Sequence, residues 1–270
     1  MALFLVGTPI GNLEDVTLRA LRVLKEVRLI AAEDTRTTRK LLHHFEIRTP
    51  LISYFEHSNL ARLEQILRTA MDSDVALVSE AGMPGLSDPG FEIVKAALDR
   101  GIRVIPVPGA SAPVAALVAS GQPSDRFLFL GFLPRRTNDR RKLLSSVARE
   151  PYTLVLFEAP HRILASLADM ARLLGNRRLA VARELTKVYE EIYRGTIDEA
   201  IQHFCEPRGE FTLVVEGHLE APALASENDI QGALERAMTE GLSSKDAIAR
   251  VIKETGWSKR NVYRVLLSST

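Results

Sequence analysis

The stretch Ser79-Glu80-Ala81-Gly82-Met83-Pro84-Gly85-Leu86-Ser87-Asp88-Pro89-Gly90 decides how this chain reads. It follows the apolar run Val75–Val78, which has the composition of a buried strand, and a helical pattern follows it. Three glycines and two prolines lie within it. Glycine permits positive φ and close backbone approach, and proline fixes φ. The result is a rigid, backbone-exposing loop at the C-terminal end of a strand, where open α/β sheets bind ligands. A plain connector needs only one or two turn residues.

Around this loop the first 120 residues alternate strand and helix patterns. Apolar runs occur at Leu3–Val6, Arg28–Ala32, Leu51–Tyr54, Val75–Val78 and Val104–Val107. Between them, Leu18, Leu21, Val23 and Leu24, and then Leu60, Leu63, Ile66 and Leu67, recur at helical intervals. This is the pattern of a parallel sheet with crossover helices. The strand-end loops Gly7–Asn12, Glu33–Arg36, Ser79–Gly90 and Pro106–Ala112 are expected on one sheet edge. After the break Ser120–Asp125, further strand patterns fall at Phe127–Leu133, Thr153–Phe157, Leu179–Ala182, Ile192–Thr196 and Phe211–Val215. Their short spacing beyond residue 178 predicts hairpins and a mixed sheet.

The expected organisation is an N-terminal α/β domain over 1–120, a second α/β domain over 121–220, a linker near 220–228 and a helical module over 228–270. In that module Ser244 is placed to cap a helix through Glu254, Gly256 to end it, and Ser258 to cap the next. The spacing suits a helix-turn-helix, although Ile252 stands where a small residue is usual. A plain helical hairpin and a nucleic-acid-facing module both fit.

With 270 residues, 46% of them hydrophobic, the chain can bury a sizeable core. Its formal net charge of +1 excludes a global polyanion-binding signature, so any nucleic-acid contact must come from local patches. The single cysteine, Cys205, excludes an internal disulfide framework and fits a reducing cytoplasm. Neither a signal peptide nor a membrane span is expected.

Seven segments, Gly7–Asn12, Glu33–Arg36, Ser79–Gly90, Val107–Ala112, Phe129–Arg135, Phe157–Arg162 and Ala182–Glu191, have the order and spacing of the tetrapyrrole-methylase superfamily. The chain resembles that family over residues 3–219. More narrowly it resembles the branch that methylates a cytidine ribose 2′-oxygen in small-subunit ribosomal RNA, C-terminal helices included. The resemblance implies two α/β domains, S-adenosylmethionine in the cleft between them, and a homodimer. Tetrapyrrole-modifying relatives carry Gly-Asp-Pro where this chain has Gly82-Met83-Pro84, and Gly-x-Gly-x-Gly-Asp where it has Gly7–Asn12. Those departures point to RNA as the substrate.

By the same resemblance, Pro9, Gly82, Met83, Pro84, Ser87, Ser111 and Ala112 line the first-domain side of the cofactor site, and Phe157, Glu158 and Leu185 the second-domain side. Methyl transfer needs in-line placement of the acceptor and a group that takes its proton. The candidates are Glu33, Asp34, Glu158 and Glu184; Asp34 also reads as a helix cap. Lys187 reads as a desolvated base or as a phosphate contact. Arg36, Arg135, Arg136 and Arg162, with Lys187, are the candidate RNA contacts, and Arg140, Arg141 and Lys142 extend the densest basic run. No metal is expected, because the histidines lack ligand spacing. Competing readings are a small-molecule, tetrapyrrole-type methyltransferase and a ligand-sensing DNA-binding regulator.

Overall fold

The structure is a computed structural model describing residues 1–55, 60–218, 227–255 and 257–268. The chain divides into two compact units, Met1–Gly217 and His218–Thr270. The first unit contains both sheets, so the two expected α/β domains share one unit.

The first sheet is wholly parallel, in the order β3-β2-β4-β1-β5. Its strands are β1 (Ala2–Val6), β2 (Leu29–Ala32), β3 (Leu51–Ser53), β4 (Val75–Val78) and β5 (Arg103–Val107). Helices α1 (Leu18–Glu26), α2 (Thr35–His44), α3 (Leu60–Asp72) and α4 (Phe91–Asp99) alternate with them. Successive strand residues serve opposite cores. Ile30, Ala32, Ala76 and Val78 pack with Leu24 and Leu41, whereas Ala31, Val75 and Leu77 pack with Ile66 and Ile93. Both faces are therefore covered, as strands of continuous apolar sequence require.

The second sheet runs β6-β7-β10-β8-β9. Its strands are β6 (Phe127–Phe132), β7 (Thr153–Glu158), β8 (Arg178–Arg183), β9 (Glu191–Thr196) and β10 (Phe211–Val215). Only β6 and β7 pair in parallel, so the sheet is mixed, as the short spacing predicts. One face is covered by α6 (Thr137–Ser146), α7 (Ile163–Leu174) and α8 (Ile197–His203), with Leu144, Leu167, Met170 and Leu213 in the core. The other face receives Ala116 and Leu117 of α5 (Ala112–Ser120), which pack on Val155, Ala180 and Val214. A helix that follows the first sheet in sequence thus fills the core of the second. That shared burial joins the halves into one unit.

The densest basic run is partly internal, so neither a solvated helix face nor an RNA-facing surface describes all of it. Arg140 is buried, and its guanidinium meets Asp169 of α7 at 2.6 Å; Arg141 meets the other carboxylate oxygen at 2.7 Å. These ion pairs tie α6 to α7.

The C-terminal unit comprises α9 (Glu227–Thr239), α10 (Ser244–Thr255) and α11 (Lys259–Ser268) around Ile230, Leu234, Ile248, Val251, Val262 and Val265. Ser243, not Ser244, caps α10: its hydroxyl accepts the Asp246 N–H at 3.2 Å. Ser258 caps α11 as expected, accepting from Asn261 N–H at 3.3 Å. Ile252 is partly buried against this core, which accounts for a large residue there. Gly256 and most of the expected linker lie outside the described residues, and Glu227 already opens α9. Among the described residues, no helix is long and apolar enough to cross a membrane.

Candidate active site

Backbone hydrogen bonds pin the strand-end loops of the first sheet together. Gly7 N–H donates to Val107 carbonyl at 3.0 Å. Thr8 and Gly82 exchange reciprocal bonds of 2.9 and 3.1 Å, forming an isolated bridge between the loops after β1 and β4. Gly82 can serve there because its φ is +77°. A Cβ on Gly7 would stand 2.7 Å from Met83 Sδ and 2.8 Å from Gly109, so only glycine permits this approach.

These loops form one wall of a cleft of about 700 Å³. Pro9, Gly82, Met83, Ser111 and Ala112 line it from the first-sheet side, and Phe157, Glu158 and Lys187 from the second. Ser111 sits at the start of α5 without a side-chain cap bond, which leaves its hydroxyl uncommitted to the helix. Three expected lining residues lie elsewhere. Pro84 is buried, Ser87 is exposed with its hydroxyl close to Gly131 of β6, and Leu185 packs with the apolar cluster under α5. None of the three borders the cleft.

The four candidate carboxylates have different surroundings. Asp34 caps α2 by accepting Arg36 N–H at 2.7 Å, and it pairs with the Arg36 guanidinium at 3.1 Å. The Arg36 bonds hold its carboxyl below the usual range. Glu158 has no exposed side-chain surface; Arg162 meets it at 2.6 Å, Ala159 N–H at 2.8 Å, and the Ser166 hydroxyl also donates to it. Glu184 accepts from Lys187 at 2.9 Å and from Glu210 N–H at 2.9 Å, and its pKa is lowered, chiefly by Lys187. Glu33 accepts the Glu80 N–H at 3.3 Å.

Among the candidate RNA contacts, Arg36, Arg135 and Arg136 are exposed. Arg162 points inward, bound to Glu158 and to Leu133 carbonyl at 3.2 Å, a placement that suits support rather than surface contact. Burial opposes the charge on Lys187, but the bonds to Glu184 and Glu210 (2.9 and 3.0 Å) outweigh it and raise its pKa. Lys187 is therefore a cation and not a neutral base.

Two features escaped the sequence reading. Asp88, inside the decisive loop, lines the cleft. Burial, and then the charge of Glu33, push its carboxyl up to about 6, against an opposing bond from Ser79. The only sequence signal was an acidic residue before a proline in a strand-end loop. The second feature is the loop after β8. Glu184 and Thr186 there have φ of 51° and 67°, a costly conformation, above all for β-branched threonine. This loop abuts the β1 loop so closely that a Cβ on Gly11 would meet Lys187 Cγ at 2.5 Å and Thr186 Oγ1 at 2.8 Å. It connects the two sides of the cleft, and no propensity rule locates such a contact.

The family profile for tetrapyrrole (corrin/porphyrin) methylases matches residues 2–201. The chain is 47% identical over 271 residues to ribosomal RNA small subunit methyltransferase I of Halalkalibacterium halodurans, covering 97% of this chain and 93% of that one. It is 48% identical to the protein of that name from Synechocystis sp., covering 98% and 97%. Solved structures of similar fold include diphthine synthase (TM-score 0.63, 14% identity, 82% of this chain and 92% of that). Uroporphyrin-III C-methyltransferase from Thermus thermophilus has a TM-score of 0.55 at 22% identity, over 80% of this chain and 94% of that.

Proposed function

Because the chain belongs to the tetrapyrrole (corrin/porphyrin) methylase family, we propose that it transfers a methyl group from S-adenosylmethionine to the ribose 2′-oxygen of a cytidine in small-subunit ribosomal RNA. The observation that carries this reading is the 47–48% identity, over almost the whole of both chains, to relatives named as small-subunit rRNA methyltransferases. Met83 in place of the tetrapyrrole branch's Asp agrees with it.

The residues of the cleft fit the cofactor. When bound, it supplies an electrophilic methyl on a sulfonium beside an adenine and an amino-acid end. The Gly82–Met83 turn, whose Gly82 groups are bonded to Thr8, and the start of α5 at Ser111–Ala112 bring backbone to the cleft wall without large side chains. Met83 and Phe157 supply apolar walls that exclude water. Asp88, which lines the cleft and whose carboxyl is raised by burial, would gain from a bound cation and so would favour the cofactor's positive charge. Lys187, held protonated between Glu184 and Glu210, braces the cleft edge, while exposed Arg36, Arg135 and Arg136 hold the RNA backbone, positioning it without reading sequence.

Of the four candidate proton acceptors, Asp34 and Glu184 are stabilised as anions and are weakened as bases. Glu158 is consumed by Arg162, Ser166 and Ala159 N–H. Glu33 holds the Glu80 N–H and does not border the cleft, so none of the four is assigned as the base. A homodimer belongs to the same reading: Val114 and Val118, one turn apart on α5 and 50% and 70% exposed, are apolar surface suited to a second copy. Light scattering measures that state.

The decisive experiment incubates the protein with labelled S-adenosylmethionine and small-subunit RNA or subunits from cells lacking the gene. Label on one cytidine 2′-oxygen is expected. Its absence from both free RNA and assembled subunits refutes the reading.

A further inference from the structure

The last helix of the C-terminal, helix-turn-helix-like unit carries an asymmetric surface. Val262 and Val265 bury one side of α11. At 100° per residue, Lys259, Tyr263, Leu267, Arg260 and Arg264 form one continuous opposite face. Tyr263 is 50% and Leu267 64% exposed. Arg264 pairs with Glu227 at 3.0 Å. Among the described residues, Lys259 and Arg260 form no ion pair. The helix has no acidic residue, whereas Glu227, Asp229 and Glu235 lie on α9 and Asp246 and Glu254 on α10.

The cleft supplies little charge for a polyanion. Its cationic lining is Lys40 and Lys187, against Glu80, Asp88, Glu158 and Glu210, and Lys187 is already shared between two carboxylates. An RNA substrate must gain its attraction from other surfaces of the chain.

We propose that this face of α11 is a docking surface for a single-stranded RNA segment, with Tyr263 stacking on a base and Lys259 and Arg260 holding phosphates. The proposal rests on the reading that the substrate is RNA. An exposed aromatic flanked by cations is the arrangement that binds unpaired strands, because any base offers a face for stacking. The deep, narrow major groove of an RNA duplex would not admit such side chains. Duplex DNA, which a helix-turn-helix meets through its second helix, is the rival partner.

The test uses the full chain and the variants K259E/R260E and Y263A. Fluorescence anisotropy follows a labelled mixed-sequence single-stranded RNA of about 16 nucleotides, long enough for such a surface, and a DNA duplex of matching sequence, across a salt series. Loss of two phosphate contacts, with the added repulsion of two carboxylates, lowers the slope of log affinity against log salt by at least about 1.4 for K259E/R260E. Y263A weakens RNA binding about tenfold and leaves that slope unchanged. Unchanged S-adenosylmethionine binding by both variants shows that the cleft is intact. RNA affinity equal to the parent's in both variants overturns the proposal, as does α11-dependent binding of duplex DNA without binding of RNA. If no ribose is methylated but the variants still weaken RNA binding, the enzymatic reading fails and the docking surface stands.

Discussion

Asp88 makes cofactor binding depend on pH in a direction that can be worked out. In the free protein its carboxyl titrates at about 6, because burial and the neighbouring charge of Glu33 disfavour the anion. A bound cation favours the anion and drives that pKa down. Near pH 7 the carboxylate is already ionised and binding displaces no proton. At pH 5 nearly every molecule must release one, so affinity falls by about tenfold between pH 7 and pH 5. Replacing Asp88 with Asn removes the charge and flattens this profile. It also removes a charge-assisted bond of about 2 kcal/mol, a loss of about 30-fold at pH 7. The same substitution stabilises the free protein. A carboxyl whose pKa is raised above its unfolded value of 3.8 loses stability as pH rises through its folded value of about 6. Discounted for partial solvent screening, D88N recovers about 1–2 kcal/mol at neutral pH. Calorimetric titration with S-adenosylmethionine, in buffers of different ionisation enthalpy, measures affinity and proton release together, and urea unfolding measures stability. A parent affinity that changes less than twofold over this pH range, or a D88N profile that retains the parent's slope, refutes the reasoning.

The contact across the cleft is testable at Gly11. G11A must push the loop after β8 away from Lys187 and Thr186, at a cost of about 1–3 kcal/mol in urea unfolding, with weakened methyl transfer. Breaking the Asp169 pairs with D169A leaves Arg140 buried and uncompensated, and about 3–5 kcal/mol of stability is lost. The residual folded protein keeps its RNA affinity in a filter-binding assay. E158Q lowers the melting temperature, because it weakens the grip on Arg162 and Ser166, and its kcat stays within about threefold of the parent's.

The sequence by itself determined the two sheets, their mixed and parallel characters, and the loop wall of the cleft. Strand patterns report burial on one or both faces, and glycine–proline loops report their conformation locally. Pro9, Gly82, Met83, Ser111, Ala112 and Phe157 were legible in this way, through motif order. The tertiary structure decided what depends on neighbours distant in the chain. Whether Arg140 and Arg162 meet solvent or a buried carboxylate depends on Asp169 and Glu158, which pattern alone does not pair with them. Whether a carboxyl titrates near neutrality or is an ordinary anion depends on what buries and surrounds it. That is why Asp88 stood unremarked inside the very loop that revealed the fold. Its position was encoded locally, but its chemistry came from Glu33 on the adjoining strand's loop and from the burial that the cleft imposes.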